Sequence, residues 1–133
     1  MRYLVDSDWI VDATSGILGA VAALNDLRPD GLAVSVIAVC EVYEGAHMAR
    51  DPLASLASFR RFLADYILLD LTEPIAGVFA GIRASLRRQG NLIQDLDLLI
   101  AATAIYHDLE LVTRNLRHFE RVPGLKLYRP SQT

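Results

Sequence analysis

Five oxygen-bearing side chains in this sequence have types and neighbours suited to phosphate or metal chemistry. Asp95 and Asp97 stand two residues apart at the mouth of the stretch GNLIQDLDLLIAATAIYHDLELVTRN, Gly90 to Asn115. Asp6 closes the short apolar run Arg2-Tyr3-Leu4-Val5. Glu41 interrupts the otherwise apolar VIAVCEV, where a solvated face is a poor explanation, and Asn115 follows Leu111-Val112-Thr113. Carboxylates in or beside a dry interior are costly unless they are paired or bound to a cation. Hard divalent cations such as magnesium or manganese take oxygen ligands, commonly a few carboxylates with water and substrate phosphate. Asp6, Glu41 and Asp97, with Asp95 or Asn115 as a supporting fourth, make up such a donor set. Zinc is disfavoured, because His47, His107 and His118 fall in different elements and the one cysteine forms no thiolate cluster. The alternative is structural: Asp95 and Asp8 are also good helix N-terminal acids, stabilised there by the backbone dipole.

Other chemistry is poorly represented. Glu44 and His47 form a single E-x-x-H, whereas a di-iron bundle needs two copies. Ser7 and Ser35 lack a nucleophile-elbow context, and the glycines make neither a dinucleotide fingerprint nor a phosphate-binding loop. Arg83, Arg87 and Arg88 share one side of a helix and read either as a solvated face or as a phosphate-facing patch. Arg114, beside Asn115, stands close to any phosphodiester at this site.

The elements that must position these groups follow from periodicity and turn chemistry. Short strands are expected at 2–6, 32–37, 66–71, 111–113 and 125–128. Helical segments are expected at 9–14, 16–27, 38–48, 52–64, 75–89 and 96–106, with a last short turn near Phe119. Arg28-Pro29-Asp30-Gly31 is a strong turn, and Gly90 a helix-terminating glycine. The run from Leu96 to Tyr106 is apolar on nearly every side, so it belongs between other layers. Strands alternating with helices predict an α/β fold: a three-layer α/β/α sandwich with a mainly parallel sheet of 4–5 short strands, as one domain spanning 1–133. In such sheets ligands gather beyond the carboxyl ends of the strands. Asp6, Glu41, Asp97 and Asn115 are therefore expected to converge on one rim.

Composition narrows the setting. The chain has 133 residues, 53% hydrophobic and 22% charged, in the range of globular proteins. Its single cysteine, Cys40, excludes an internal disulfide framework and is expected as buried filler in the run from Val34 to Val42. The N-terminus meets Asp6 and Asp8 before a signal-peptide core can form, and no apolar run reaches the roughly 18 residues of a membrane span. A cytoplasmic protein without a membrane anchor is expected. Net charge is −3 but uneven: residues 1–82 carry 5 basic against 11 acidic side chains, and residues 83–133 carry 8 against 5. Of the 13 basic residues 12 are arginine, the side chain suited to bidentate phosphate contact. This balance excludes a bulk nucleic-acid coat and allows an acidic pocket beside an arginine-lined surface.

The order VDSDW, VCEVYEGA, DLDLLIAATA and TRNLRHFERVPG resembles the PIN-domain ribonucleases, and closely the VapC-type toxins of bacterial toxin–antitoxin pairs. The resemblance extends over essentially the whole chain. It implies a magnesium- or manganese-dependent endoribonuclease, homodimerisation, and inhibition by a cognate antitoxin in a toxin–antitoxin hetero-oligomer. Carried over by position, it implies Asp6, Glu41 and Asp97 as metal-site acids. Asn115 falls where many members have a fourth acid and others an asparagine, and Ser7 and Thr113 match supporting polar positions. Asp95 is a further candidate if its side chain turns inward, and Arg114 an RNA contact. Hydrolysis by activated water predicts 5′-phosphate and 3′-hydroxyl ends. Two competing readings keep the same acids: a catalytically weak RNA- or partner-binding module, and a phospho-acceptor domain. The second expects a strand-end lysine, and the only lysine, Lys126, is in the wrong strand.

Overall fold

The computed structural model describes residues 1–130; positions 131–133 of the expected domain lie outside the described residues. Five strands form one sheet in the order β3-β2-β1-β4-β5, with β1 Tyr3–Val5, β2 Leu32–Ser35, β3 Ile67–Leu69, β4 Glu110–Val112 and β5 Lys126–Leu127. All neighbouring pairs are parallel. Strands β1 and β2 bury every residue, which is why they read as continuous apolar runs rather than alternating ones: both faces of the sheet are covered. Among the described residues seven α-helices supply the cover: α1 Ser7–Thr14, α2 Leu18–Leu27, α3 Val36–His47, α4 Pro52–Leu63, α5 Glu73–Arg88, α6 Asp95–Tyr106 and α7 Leu116–Phe119. The expected α/β sandwich is the fold observed, with a sheet that is wholly parallel.

Helix α6 is the packed centre of one layer. Leu98 and Ile100 to Ala104 are all buried, and the helix packs chiefly on α5, with further contacts to α3 and β4. Small side chains at Ala101, Ala102 and Ala104 permit that close approach. Asp108 then takes the left-handed conformation at φ 56°, tolerable for Asp, and Leu109 N–H closes on Ala104 O at 2.8 Å. The chain is thereby turned straight into β4. Helix α5 ends as expected: Gly90 lies at φ 66°, its N–H bonds Arg87 O, and Asn91 N–H bonds Leu86 O. That pattern is a Schellman closure.

Cys40 departs from expectation, being exposed. The apolar run around it is split between β2 and α3, and α3 buries Ala38, Val42 and Ala46 on one face. Cys40 lies two residues from both Ala38 and Val42, half a turn away. Among the described residues no single helix is long and apolar enough to cross a membrane. Gly31, at φ 93°, enters β2 with no room for a side chain: a Cβ there would lie 2.8 Å from Met1 Cα. Gly31→Ala is expected to destabilise the fold by about 1–3 kcal/mol, read as a lowered urea midpoint.

Candidate active site

Strand β1 leads to β2 and β3 on one side of the sheet, and the chain then crosses to β4 and β5 on the other. The gap beyond the carboxyl ends of β1 and β4 is therefore the topological switch point, where parallel sheets leave a crevice. Asp6 and Thr113 are the first residues past those two strand ends. Thr113 Oγ1 donates to Asp6 Oδ2 across the gap at 2.8 Å, and Asp6 N–H bonds Val112 O at 2.9 Å. Asp6 also caps α1, with Oδ1 accepting from Ser7 N–H at 2.8 Å. One side chain thus ends a strand, starts a helix and faces the crevice, and it is only 5% exposed.

Glu41 approaches from α3, one and a half turns after β2. Ser7 Oγ donates to Glu41 Oε1 at a long 3.4 Å, linking the first and third helices at the rim. Asp97 enters from the first turn of α6, with Oδ2 3.8 Å from His118 Nε2. Asn115 caps α7: its N–H bonds Thr113 Oγ1 at 3.2 Å and its Nδ2 lies 2.9 Å from His118 Nδ1. Asp6, Ser7, Glu41, Asp97, Thr113 and Asn115 are thus linked along one rim. Asp95 is not part of it. Its carboxylate faces outward and takes a 2.8 Å ion pair from Arg83 Nε, because the residue two positions before Asp97 points some 200° around the helix. This contact also gives Arg83 a structural role.

Asp8 is the residue that sequence reasoning missed. The N-cap of α1 is Asp6, and the Asp8 carboxylate instead reaches across to the β4–α7 loop. Its Oδ2 accepts from Arg114 N–H at 3.0 Å and stands 3.3 Å from Thr113 Oγ1. Asp12, one turn further along α1, takes Arg114 Nε at 2.5 Å, and the guanidinium lies over the Trp9 ring at 4.7 Å. The signal was present as the i, i+4 spacing of Asp8 and Asp12, which puts both on one helix face. Thr113 has one proton for two carboxylates, and the 2.8 Å contact gives it to Asp6. Thr113→Val leaves buried Asp6 Oδ2 without a donor; a loss of roughly 1–3 kcal/mol in urea-unfolding stability is expected.

The electrostatics of the rim are those of crowded, partly dried acids. Burial first, then the charge of Asp8, pushes the Asp6 carboxyl up to about 7, against the pull of its bonds from Thr113 and Ser7. Burial also raises Glu41, with Asp97 and Asp8 adding to it, and raises Asp97, opposed by His118. Asp8 is raised by burial and held back by the Arg114 and Trp9 amides. Four carboxylates that disfavour one another's ionisation suit a divalent cation. Among the described residues no group of three acids or histidines stands close enough to share one ion as the side chains lie. Repelling carboxylates spread, and gathering them on a cation requires rotamer changes. The donor set is all oxygen, which fits magnesium or manganese.

Residues 3–125 match the family model described as PIN domain. Ribonuclease VapC2 of Haemophilus influenzae is 32% identical over 126 residues, covering 95% of this chain and 96% of the relative. The tRNA(fMet)-specific endonuclease VapC of Salmonella typhimurium is 33% identical over 127 residues, covering 96% of each. Among solved structures, VapBC2 from Rickettsia felis bound to a DNA fragment from its promoter superposes with a TM-score of 0.90 at 26% identity, covering 96% of this chain and 98% of that one. With an acidic rim at the switch point of a parallel sheet and these relatives spanning nearly its full length, the chain belongs to the PIN-domain family, among the VapC ribonucleases.

Proposed function

We propose that the rim is the hydrolytic centre of a magnesium- or manganese-dependent endoribonuclease, a growth-inhibiting toxin held in check by a cognate antitoxin. The observation that carries this reading is the clustering of Asp6, Asp8, Glu41 and Asp97 at the switch point, each with its carboxyl raised by burial or by its neighbours. Asp6, Glu41 and Asp97 are the residues that hold the cation, with Asn115 as a neutral fourth donor. When bound, such an ion lowers the pKa of a water and offsets charge on the phosphoryl oxygens.

The remaining steps belong to the chain's own groups. Thr113 and the Ser7 amide hold the Asp6 carboxylate at the mouth of the crevice. Ser7 Oγ does the same for Glu41 across the rim. Asp8 fixes the backbone at Arg114, and Asp12 with Trp9 holds that guanidinium beside the crevice, where a substrate phosphate can exchange with Asp12 as its partner. Water as nucleophile leaves the 2′-hydroxyl intact, giving 5′-phosphate and 3′-hydroxyl ends.

The working unit under this proposal is a single cytoplasmic domain of residues 1–133 that forms a homodimer and a hetero-oligomer with its antitoxin. The Salmonella relative is named for tRNA(fMet), so transfer RNA is the first substrate to try. Cleavage with magnesium or manganese and none in EDTA is the expected result. RNA retained without fragments in every metal would replace the nuclease by a binding module, and 2′,3′-cyclic phosphate ends would overturn the water mechanism.

A further inference from the structure

Asn115 is the weak point of the proposed donor set, because only one end of a carboxamide can face a cation. Its amide is not left to choose. Nδ2 lies 2.9 Å from His118 Nδ1, and the other ring nitrogen, Nε2, is buried without a hydrogen-bond partner, 3.8 Å from Asp97 Oδ2. In a neutral imidazole one nitrogen carries the proton and the other a lone pair. A lone pair on Nε2 would confront the Asp97 carboxylate, so the proton belongs on Nε2. Nδ1 is then a bare acceptor, which takes N–H from Asn115 and repels its carbonyl oxygen. Among the described residues Asn115 Oδ1 makes no hydrogen bond, and the backbone on either side is fixed by Thr113 Oγ1 and by the start of α7.

We infer that His118 is a positioning residue: the Asp97 carboxylate, 3.8 Å from Nε2, sets its tautomer, and through Nδ1 it locks the Asn115 amide with its oxygen available to the cation. His118 touches neither RNA nor metal in this role. Its ring packs on Phe119 at 6.0 Å between centroids, and Phe119 is buried, so the imidazole has a fixed base. The inference rests on the metal-dependent reading above and adds that an asparagine in the fourth position works only with a partner that orders its two ends.

A double-mutant cycle on manganese binding, followed by calorimetry on the full chain without RNA, tests this. His118→Phe keeps the ring and its packing while removing both nitrogens; manganese affinity is expected to fall about tenfold, as is common when an outer residue stops orienting a ligand. A carboxylate has two equivalent oxygens and needs no such ordering. In an Asn115→Asp background the same His118→Phe change is therefore expected to cost less than about twofold. His118→Ala repeats the cycle without the ring, and melting temperatures taken in EDTA separate misfolding from lost affinity. An equal loss in both backgrounds, or no loss in either, overturns the role assigned to His118. Absence of manganese binding by the unmutated chain overturns the metal reading itself, a different outcome.

Discussion

Asp6→Asn and Asp97→Asn are each expected to lose RNA cleavage by roughly a thousandfold, about 4 kcal/mol of barrier, while Asp95→Asn stays within about twofold. The contrast follows from where the three carboxylates point. Asp6 is buried at the switch point between two strand ends, and Asp97 faces the same rim with its carboxyl raised by burial against the pull of His118. Asp95 is turned to solvent and spends its charge on Arg83. A carboxamide in place of either inward acid removes one negative charge from the cation site and replaces an oxygen donor by an NH2 in half of its orientations. Single-turnover cleavage of transfer RNA with magnesium, beside manganese calorimetry, checks all three variants. Cleavage retained by both Asp6→Asn and Asp97→Asn, or lost with Asp95→Asn, contradicts the assignment. In cells the same order is expected: growth arrest by the unmutated chain and none by Asp6→Asn.

The second large effect has the opposite sign from most active-site substitutions. In EDTA, Asp6→Asn is expected to stabilise the protein at pH 8 by up to about 4 kcal/mol, one pKa unit being worth about 1.36 kcal/mol. The Asp6 carboxyl titrates near 7 in the folded chain against 3.8 when free. The folded state therefore holds this proton more tightly than the unfolded one, and stability is fully present below about pH 4. It is lost as pH rises through about 7, where the native chain must carry a buried charge. Asparagine carries none, so its advantage should vanish near pH 4, grow between 4 and 7 and then level off. Its oxygen can still cap Ser7 and its NH2 can donate to Thr113 Oγ1, which keeps the local bonding. Adding magnesium narrows the gap, because only the unmutated site gains from binding: about 2.7 kcal/mol at a hundred times the dissociation constant. Urea unfolding at pH 4, 6 and 8, with EDTA and with magnesium, gives six comparisons. A destabilised Asp6→Asn in EDTA at pH 8 contradicts the account of Asp6 as an acid whose charge is disfavoured by burial and by Asp8.

Most of the architecture could be read in one dimension because it rests on local chemistry. The continuous apolar strands, the Pro-Asp-Gly turn before β2, the glycine ending α5 and the featureless apolar α6 all announce themselves through backbone preference and periodicity. Their boundaries shift by a residue or two in the structure, where caps decide them: Asp6 and Ser35 start α1 and α3 at the residue immediately following each, earlier than composition alone suggests. Cys40 is exposed rather than buried for a related reason. A run of apolar letters does not say which of them face a helix's outer side once the strand ends and the helix begins.

The sheet class, the central helix and the inventory of acids were all legible in one dimension, since these depend on residue type, spacing along one element and burial averaged over a segment. Which acids share a neighbourhood was settled in three dimensions. Strand order placed β1 beside β4, and that single adjacency joined Asp6 to Thr113 over 107 positions of chain. Side-chain direction at the first turn of α6 sent Asp97 to the rim and Asp95 to Arg83. Helix packing brought Asp8 against the Arg114 amide and His118 against Asp97. Long-range pairing and rotamer choice answer to the whole fold, because a carboxylate's protonation and orientation are set by groups a few ångströms away in space rather than by neighbours in the chain.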